Sequence, residues 1–262
     1  MLNKRLGFIG GGRITNIFLG GLKRSGGFTP NFGQIVVSDS NVENLNKLKE
    51  LYPEISVTTN DNKQAALMDI VFLAVHPQAI NSVVDDIKSC LNDNTLLISL
   101  APKFTISKLS ESLGGFQKIA RMIPNAPSII NCGYNPICYS NALSISEKNI
   151  IKDIVGLLGK CPEVAEEKLE AYAILTAMGP TYLWFQLYEL NDLGKSFGLN
   201  EQEVKEGIKE MVVGTVMTMF DSNLPASAVI DLIPVKPLGD DEEYIKSAYR
   251  TKLEKLYQKL KV

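Results

Sequence analysis

Histidine is almost missing from this chain: His76 is the only one in 262 residues. That scarcity excludes a histidine-rich metal centre or a histidine pair on one helix face, so no metal site is expected. Any Ser-His-Asp relay would have to be built on His76. Cysteine is scarce as well. Cys90, Cys132, Cys138 and Cys161 include no pair at the two-residue spacing of a zinc knuckle or a thioredoxin-type redox site, which predicts free thiols in a reducing compartment. Charge of one sign is not in excess. A net charge of −2 gives no reason to expect nucleic acid or an anionic membrane as a partner. No run of about 18 apolar residues exists, so no membrane span is expected. The N-terminus enters an apolar strand with no hydrophobic leader and cleavage site, and a cytoplasmic protein is expected.

What is present is the composition of a soluble globular protein, 45% hydrophobic and 21% charged, long enough for one large core or two smaller ones. Its first half alternates short apolar runs with amphipathic segments. Strands are expected at Leu6 to Ile9, Gln34 to Ser38, Ser56 to Thr58, Asp69 to Val75, Thr95 to Leu100 and Gln117 to Arg121. Helices fall between them, from Ile14 to Lys23 and from Val42 to Tyr52. Near-continuous apolar strands separated by helices predict a parallel sheet covered on both faces, a doubly wound α/β fold. A last strand is placed at Glu163 to Glu166.

After about residue 168 the pattern becomes helical. Leu169 to Ala177 reads as one helix, and Pro180 suits the first turn of the next. Asn200 with Glu203 three residues on reads as a capping box. The segment from Asp240 to Lys261 has acids at its start and lysines at its end, matching the helix dipole. The division is placed between residues 1–167, a dinucleotide-binding domain, and 168–262, an all-helical domain. The helical half carries Trp184, Phe185, Tyr188, Met217 and Phe220. So many large apolar residues in so short a unit predict a homodimer or higher homo-oligomer.

The chemistry-bearing motif is Gly10-Gly11-Gly12-Arg13-Ile14-Thr15. It follows the first strand and opens a helix, as a phosphate-cradling turn must. The first glycine permits the turn, and the second lets backbone approach a pyrophosphate. The free N–H groups and the helix dipole then hold the charge. Thr15 is slightly large for the close-packing third position. The second strand ends in Ser38-Asp39-Ser40. An acid there bonds adenosine ribose hydroxyls and repels a 2′-phosphate, which leans to NAD. The serines and Arg13 could instead receive that phosphate, leaving NADP open, and Asp39 also reads as a helix cap. Ala74-Val75-His76-Pro77 lies at the carboxyl edge of the fourth strand, where ligands bind in open sheets. His76 there contacts cofactor, protonates substrate or is structural.

Four stretches together resemble pyrroline-5-carboxylate reductases: Phe8 to Gly12 continuing to Leu22, Phe72 to Gln78, Ala120-Arg121-Met122-Ile123-Pro124-Asn125-Ala126-Pro127, and Thr176 to Tyr182. They match the family's order and spacing over roughly the first 180 residues. The resemblance implies a Rossmann domain followed by a helical dimerisation domain, NAD or NADP as cofactor, and reduction of the cyclic imine 1-pyrroline-5-carboxylate to proline. It implies cofactor contacts around Val75, His76 and Pro77, at Ala101 and at Asn125. It implies a small-molecule substrate beside Met178, Gly179 and Pro180. Thr176 and Tyr182 either orient the imine nitrogen or sit as buried helix residues.

The sequence departs from the family at Arg13 and Ile14 for asparagine and methionine, at His76 for lysine, and at Pro102-Lys103 for alanine-glycine. Where the family has a Ser-Pro-Gly-Gly-Thr-Thr loop to hold the substrate carboxylate, this chain has Asp231 to Asp240 with no threonine. Lys236 either replaces that clamp as a point charge or is a solvated lysine. The altered loop keeps two alternatives open: a reductase of another imine or 2-oxo acid, and a nucleotide-binding regulator without turnover.

Overall fold

The computed structural model describes residues 3–28 and 31–261. Their contacts form two compact units. One runs up to Met178 and takes in the chain again from Tyr257; the other is Gly179–Leu256. The sequence pattern had put the division at 167/168.

The first unit begins β1 (Lys4–Ile9), α1 (Arg13–Arg24), β2 (Phe32–Asp39), α2 (Val42–Leu51), β3 (Ser56–Thr59), α3 (Asn62–Ala66), β4 (Ile70–Leu73), α4 (Ile80–Ile87), β5 (Leu96–Ser99), α5 (Ile106–Ser112) and β6 (Ile119–Met122). It continues through β7 (Gly133–Tyr134), β8 (Ile137–Tyr139), α6 (Ile145–Val155), β9 (Gly159–Lys160) and α7 (Leu169–Tyr172). Among the described residues the main sheet has seven strands in the order β3-β2-β1-β4-β5-β6-β8. Every residue of β4, β5 and β6 is buried, as a parallel sheet covered on both faces requires. Phe8, Phe18 and Phe72 fill one face, with Phe8 stacked on Phe72 at 4.7 Å and Phe18 edge-on to it at 5.6 Å. Val71, Leu73, Val84 and Leu97 fill the other. The strand order reverses between β1 and β4, so a crevice opens there at the carboxyl ends of the strands.

Two expectations are corrected. Residues 163–166 form no strand; only Glu163 makes an isolated bridge, to Ile137. The sheet instead ends in β8, antiparallel to β6. Glu166 is drawn away to Arg121 and to the N–H of Ile106, and opens a 3₁₀ turn. Three residues after Pro136 are too few to show β8 by periodicity. Leu169 to Ala177 is not one regular helix either. The α-turns of α7 widen into a π-helical stretch, Ala173–Ala177.

The second unit holds α8 (Gly179–Ser196), α9 (Glu201–Asp221), α10 (Ala226–Asp231) and most of α11 (Glu242–Leu260). The Asn200–Glu203 capping box forms as expected, serving the first N–H groups of α9. Gly194 of α8 lets Val204 of α9 come close; a Cβ there would stand 3.0 Å from Val204 Cγ2.

Candidate functional site

The three glycines after β1 do three different things. Gly10 has φ +102°, and a Cβ on it would stand 2.6 Å from the carbonyl oxygen of Ala74, so no other residue fits. A Cβ on Gly11 would press on Asp39 and Leu48 at 3.2–3.3 Å. Gly12 is different: a Cβ there would meet nothing within 4 Å. Its bareness serves no packing inside the protein. It leaves room for something arriving from outside. Gly12 is also the N-cap of α1, whose end has no side-chain cap and no acid in its first turn. The first N–H groups and the positive dipole end are thus left for an anion. Thr15 fits despite its size because its buried hydroxyl donates to the Gly10 carbonyl.

Of the cavities that meet at this turn, two also touch Ala74, Val75 and His76. One, about 450 Å³, is lined by Ser38, Asp39, Ser40, Asn62 and the apolar Ala79 and Val83. The other, about 600 Å³, is walled mostly by apolar residues, including Ile14, Leu100, Pro102, Ile123, Pro124, Ala177 and Met178. Both are of ligand-pocket size. Gly12, Ala74, Val75 and His76 line both. Arg13 and Pro77 line the second. His76 caps the short turn Pro77–Ala79, its Nδ1 accepting from the Gln78 N–H at 3.5 Å. Ala101, expected at the cofactor, is packed in the core while its neighbours Leu100 and Pro102 face the cavity.

Asn125 ties the loop after β6 together. Its N–H donates to Asn135 Oδ1 at 2.9 Å, and its Oδ1 accepts from the Tyr134 N–H at 3.0 Å. Its Nδ2 reaches the carbonyl of Thr176 at 3.5 Å. The regular helical donor for that carbonyl would be residue 180, a proline without N–H. Thr176 Oγ1 donates to the Tyr172 carbonyl at 2.9 Å. Of the other expected substrate residues, Met178 belongs to the first unit, and Gly179, Pro180, Tyr182 and Lys236 to the second. Within the second unit the Tyr182 ring lies edge-on to Tyr249 at 5.8 Å. Burial, with the neighbouring Tyr249, pushes its hydroxyl pKa up. Lys236 is exposed. The Glu242 carboxyl is held low, first by its hydrogen bond to Lys246 and with a further contribution from Lys236.

The sequence reading gave no role to the most heavily charged buried cluster. Arg121 of β6 is 1% exposed and pairs with Glu166 at 2.7 Å and Glu170 at 2.8 Å. It pins the start of α7 against the sheet and so steadies the helix leading to Thr176 and Met178. Two signals pointed to it: an arginine inside the apolar run Ile119 to Met122, and two glutamates at i, i+4. Leu260 was also missed; this last-turn residue of α11 walls the larger cavity. The cysteines offer no nucleophile at neutral pH where they are buried, since burial pushes the Cys138 and Cys161 thiols up to about 11.

A doubly wound sheet with an open glycine turn between two cavities defines a dinucleotide-binding oxidoreductase. Comparison with known proteins agrees. The model of the family "NADP oxidoreductase coenzyme F420-dependent" matches residues 5–103. The pyrroline-5-carboxylate reductase of Escherichia coli (strain K12) is 25% identical over 234 residues, 88% of this chain and 85% of that protein. A pyrroline-5-carboxylate reductase structure from Coxiella burnetii is 27% identical with a TM-score of 0.69, covering 98% of this chain and 94% of that one. The Plasmodium falciparum pyrroline carboxylate reductase, solved with NADP bound, superposes with a TM-score of 0.77 at 24% identity, over 100% of this chain and 98% of that one. Over most of its length the chain is similar to pyrroline-5-carboxylate reductases.

Proposed function

We propose that the protein is an NAD(P)H-dependent reductase of a cyclic imine, converting 1-pyrroline-5-carboxylate to L-proline. The observation that carries this reading is the bare Gly12 at the junction of the two cavities. A dinucleotide laid across it would place its pyrophosphate on the N-terminus of α1. Its adenosine would lie in the polar cavity and its nicotinamide in the apolar one. The bound nicotinamide supplies the hydride. The chain would supply placement and an apolar wall: Ile14, Ile123 and Met178 would keep water from the reacting carbon. A protonated imine is already electrophilic, which suits a site with one histidine. Thr176 and Tyr182 are the proposed orienting hydroxyls for its nitrogen. Thr176 already donates to Tyr172, so it can act there only as an acceptor, as the N–H of a protonated imine requires.

The working protein is proposed to be a homodimer or higher homo-oligomer joined through the helices of Gly179–Leu256. Phe185 and Phe220 there are 68% and 70% exposed, and a second copy would cover them. A cytoplasmic setting fits the four free thiols. No helix among the described residues is long and apolar enough to cross a membrane.

The test is oxidation of NADH and NADPH with saturating pyrroline-5-carboxylate against no-enzyme controls. Robust turnover is expected. The stretch Asp231 to Asp240, which has no threonine and carries the exposed Lys236, favours a second reading in which the substrate is another cyclic imine or a 2-oxo acid. Nucleotide binding with no pyrroline-5-carboxylate turnover would replace the first reading by the second. Binding with no turnover of any imine or oxo acid would leave a nucleotide-binding regulator.

A further inference from the structure

NADH and NADPH carry the same hydride and differ by one phosphate on the adenosine ribose, so the polar cavity, not the reacting end, tells them apart. Asp39 stands at its rim, at the end of β2. Its Oδ2 accepts from the Gly11 N–H at 2.5 Å and its Oδ1 from the Asn41 N–H at 2.7 Å. Two backbone donors therefore fix the carboxylate beside the glycine turn, and it cannot swing aside to admit another anion. The hydroxyl of Ser38, on the same wall, is committed to Asn62 Oδ1 at 2.9 Å. Asn62 in turn donates to Asp86 at 3.2 Å, so a second carboxylate stands behind Asn62. Among the described residues no lysine or arginine lines this cavity. The bases nearest the glycine turn, Arg13 and Lys47, line neighbouring cavities instead.

We infer that the protein selects NADH over NADPH and that Asp39 is the discriminating residue. This deepens the proposed function and rests on its reading of the glycine turn as a dinucleotide site. A fixed carboxylate accepts hydrogen bonds from the free 2′- and 3′-hydroxyls of NADH. The 2′-phosphate of NADPH offers it no hydrogen and brings a charge of about −1.5 to −2, with no lysine or arginine among the described residues of the cavity wall to offset it.

The experiment is a fluorescence titration of the intact protein with each reduced nucleotide, without substrate. NADH is expected to bind at least about tenfold tighter than NADPH, because the fixed carboxylate repels the added phosphate. Asp39→Asn, which removes the charge and keeps the shape, is expected to bring the two affinities within about threefold. Ser40→Arg leaves the Asp39–Gly11 bond in place and should tighten NADPH about tenfold, which keeps the test alive if the Asp39 variant folds poorly. Native protein that binds NADPH as tightly as NADH would overturn the inference. A ratio unmoved in both variants would remove Asp39 from it. Saturable binding of neither nucleotide would overturn the dinucleotide site and this selectivity together. Failure to reduce any imine would bear on the proposed reaction only, since the ratio is read from binding.

Discussion

The two units place their apolar residues in opposite ways. In the first, Leu6, Phe8, Phe18 and Phe72 are wholly buried, and even an arginine, Arg121, is 1% exposed. In the second, Val204 is the one buried residue of Gly179–Leu256, while Phe185, Tyr188, Phe197 and Phe220 lie open. Yet both are rich in regular structure. The difference teaches that forming an element and burying it are separate events. The helices of the second unit are set by local signals, such as the Asn200–Glu203 box, and by their own backbone bonds. They have no core of their own to stand on, and a unit of that size seldom supplies one. The first unit closes its core by strand pairing across the chain, and that core in turn holds the charged cluster that steadies α7.

The largest effect is expected where the first unit is most tightly committed. Arg121→Ala would leave the buried Glu170 and the partly buried Glu166 without their cation. It should cost about 3–5 kcal/mol of stability in urea unfolding. A loss below about 1 kcal/mol would mean that the cluster is not what binds α7 to the sheet.

A smaller effect of a different kind is expected in the second unit. Phe185→Asp with Phe220→Asp should lower the mass seen by light scattering to that of one chain at micromolar concentration. Helix content should stay unchanged, because neither side chain is buried within its own unit. Each covered phenyl ring is worth about 1.5–3 kcal/mol at such an interface. A native protein that is already a monomer would break the comparison, since the second unit would then stand with its apolar face uncovered.

The smallest effect is expected at a surface cap of the first unit. Lys118 and Ser144 hold the Glu147 carboxyl down to about 2, against about 4.3 in an unfolded chain. A carboxyl depressed by folding contributes stability that is whole above about pH 4.3 and fades as pH falls through about 2. Because the Lys118–Glu147 pair is partly exposed and screened by solvent, Glu147→Gln should cost only about 1 kcal/mol at neutral pH. Its difference from the native protein should shrink steadily between pH 4.3 and pH 2. A difference constant over that range would show that the capping box Ser144–Glu147 is not charge-assisted.

Much of the first unit was legible because its signals are local. Buried parallel strands are continuous apolar runs, so β1, β2, β4 and β5 stood out from the sequence, and the glycine turn lay directly after the first of them. The three-residue β8 and the π-helical stretch at Ala173–Ala177 were not legible, since neither leaves a period to read. The candidate site was legible at Gly10 to Ile14 and at Ala74 to Pro77. Ala101 showed how a one-residue difference in register turns an expected lining residue into the core.

By itself the sequence determined most of the longer strands and helices, the Asn200–Glu203 cap, and that a glycine turn follows β1. These follow from side-chain periodicity and backbone freedom within a few residues. Only the tertiary structure decided what each charged group meets. Asp39 finds the Gly11 N–H from 28 residues away, and Arg121 finds Glu166 and Glu170 from 45 and 49 residues away. Contacts at that separation depend on how the strands pair and cross over. No local pattern encodes them, so the cavities and the electrostatic character of the site appear only once the sheet is assembled.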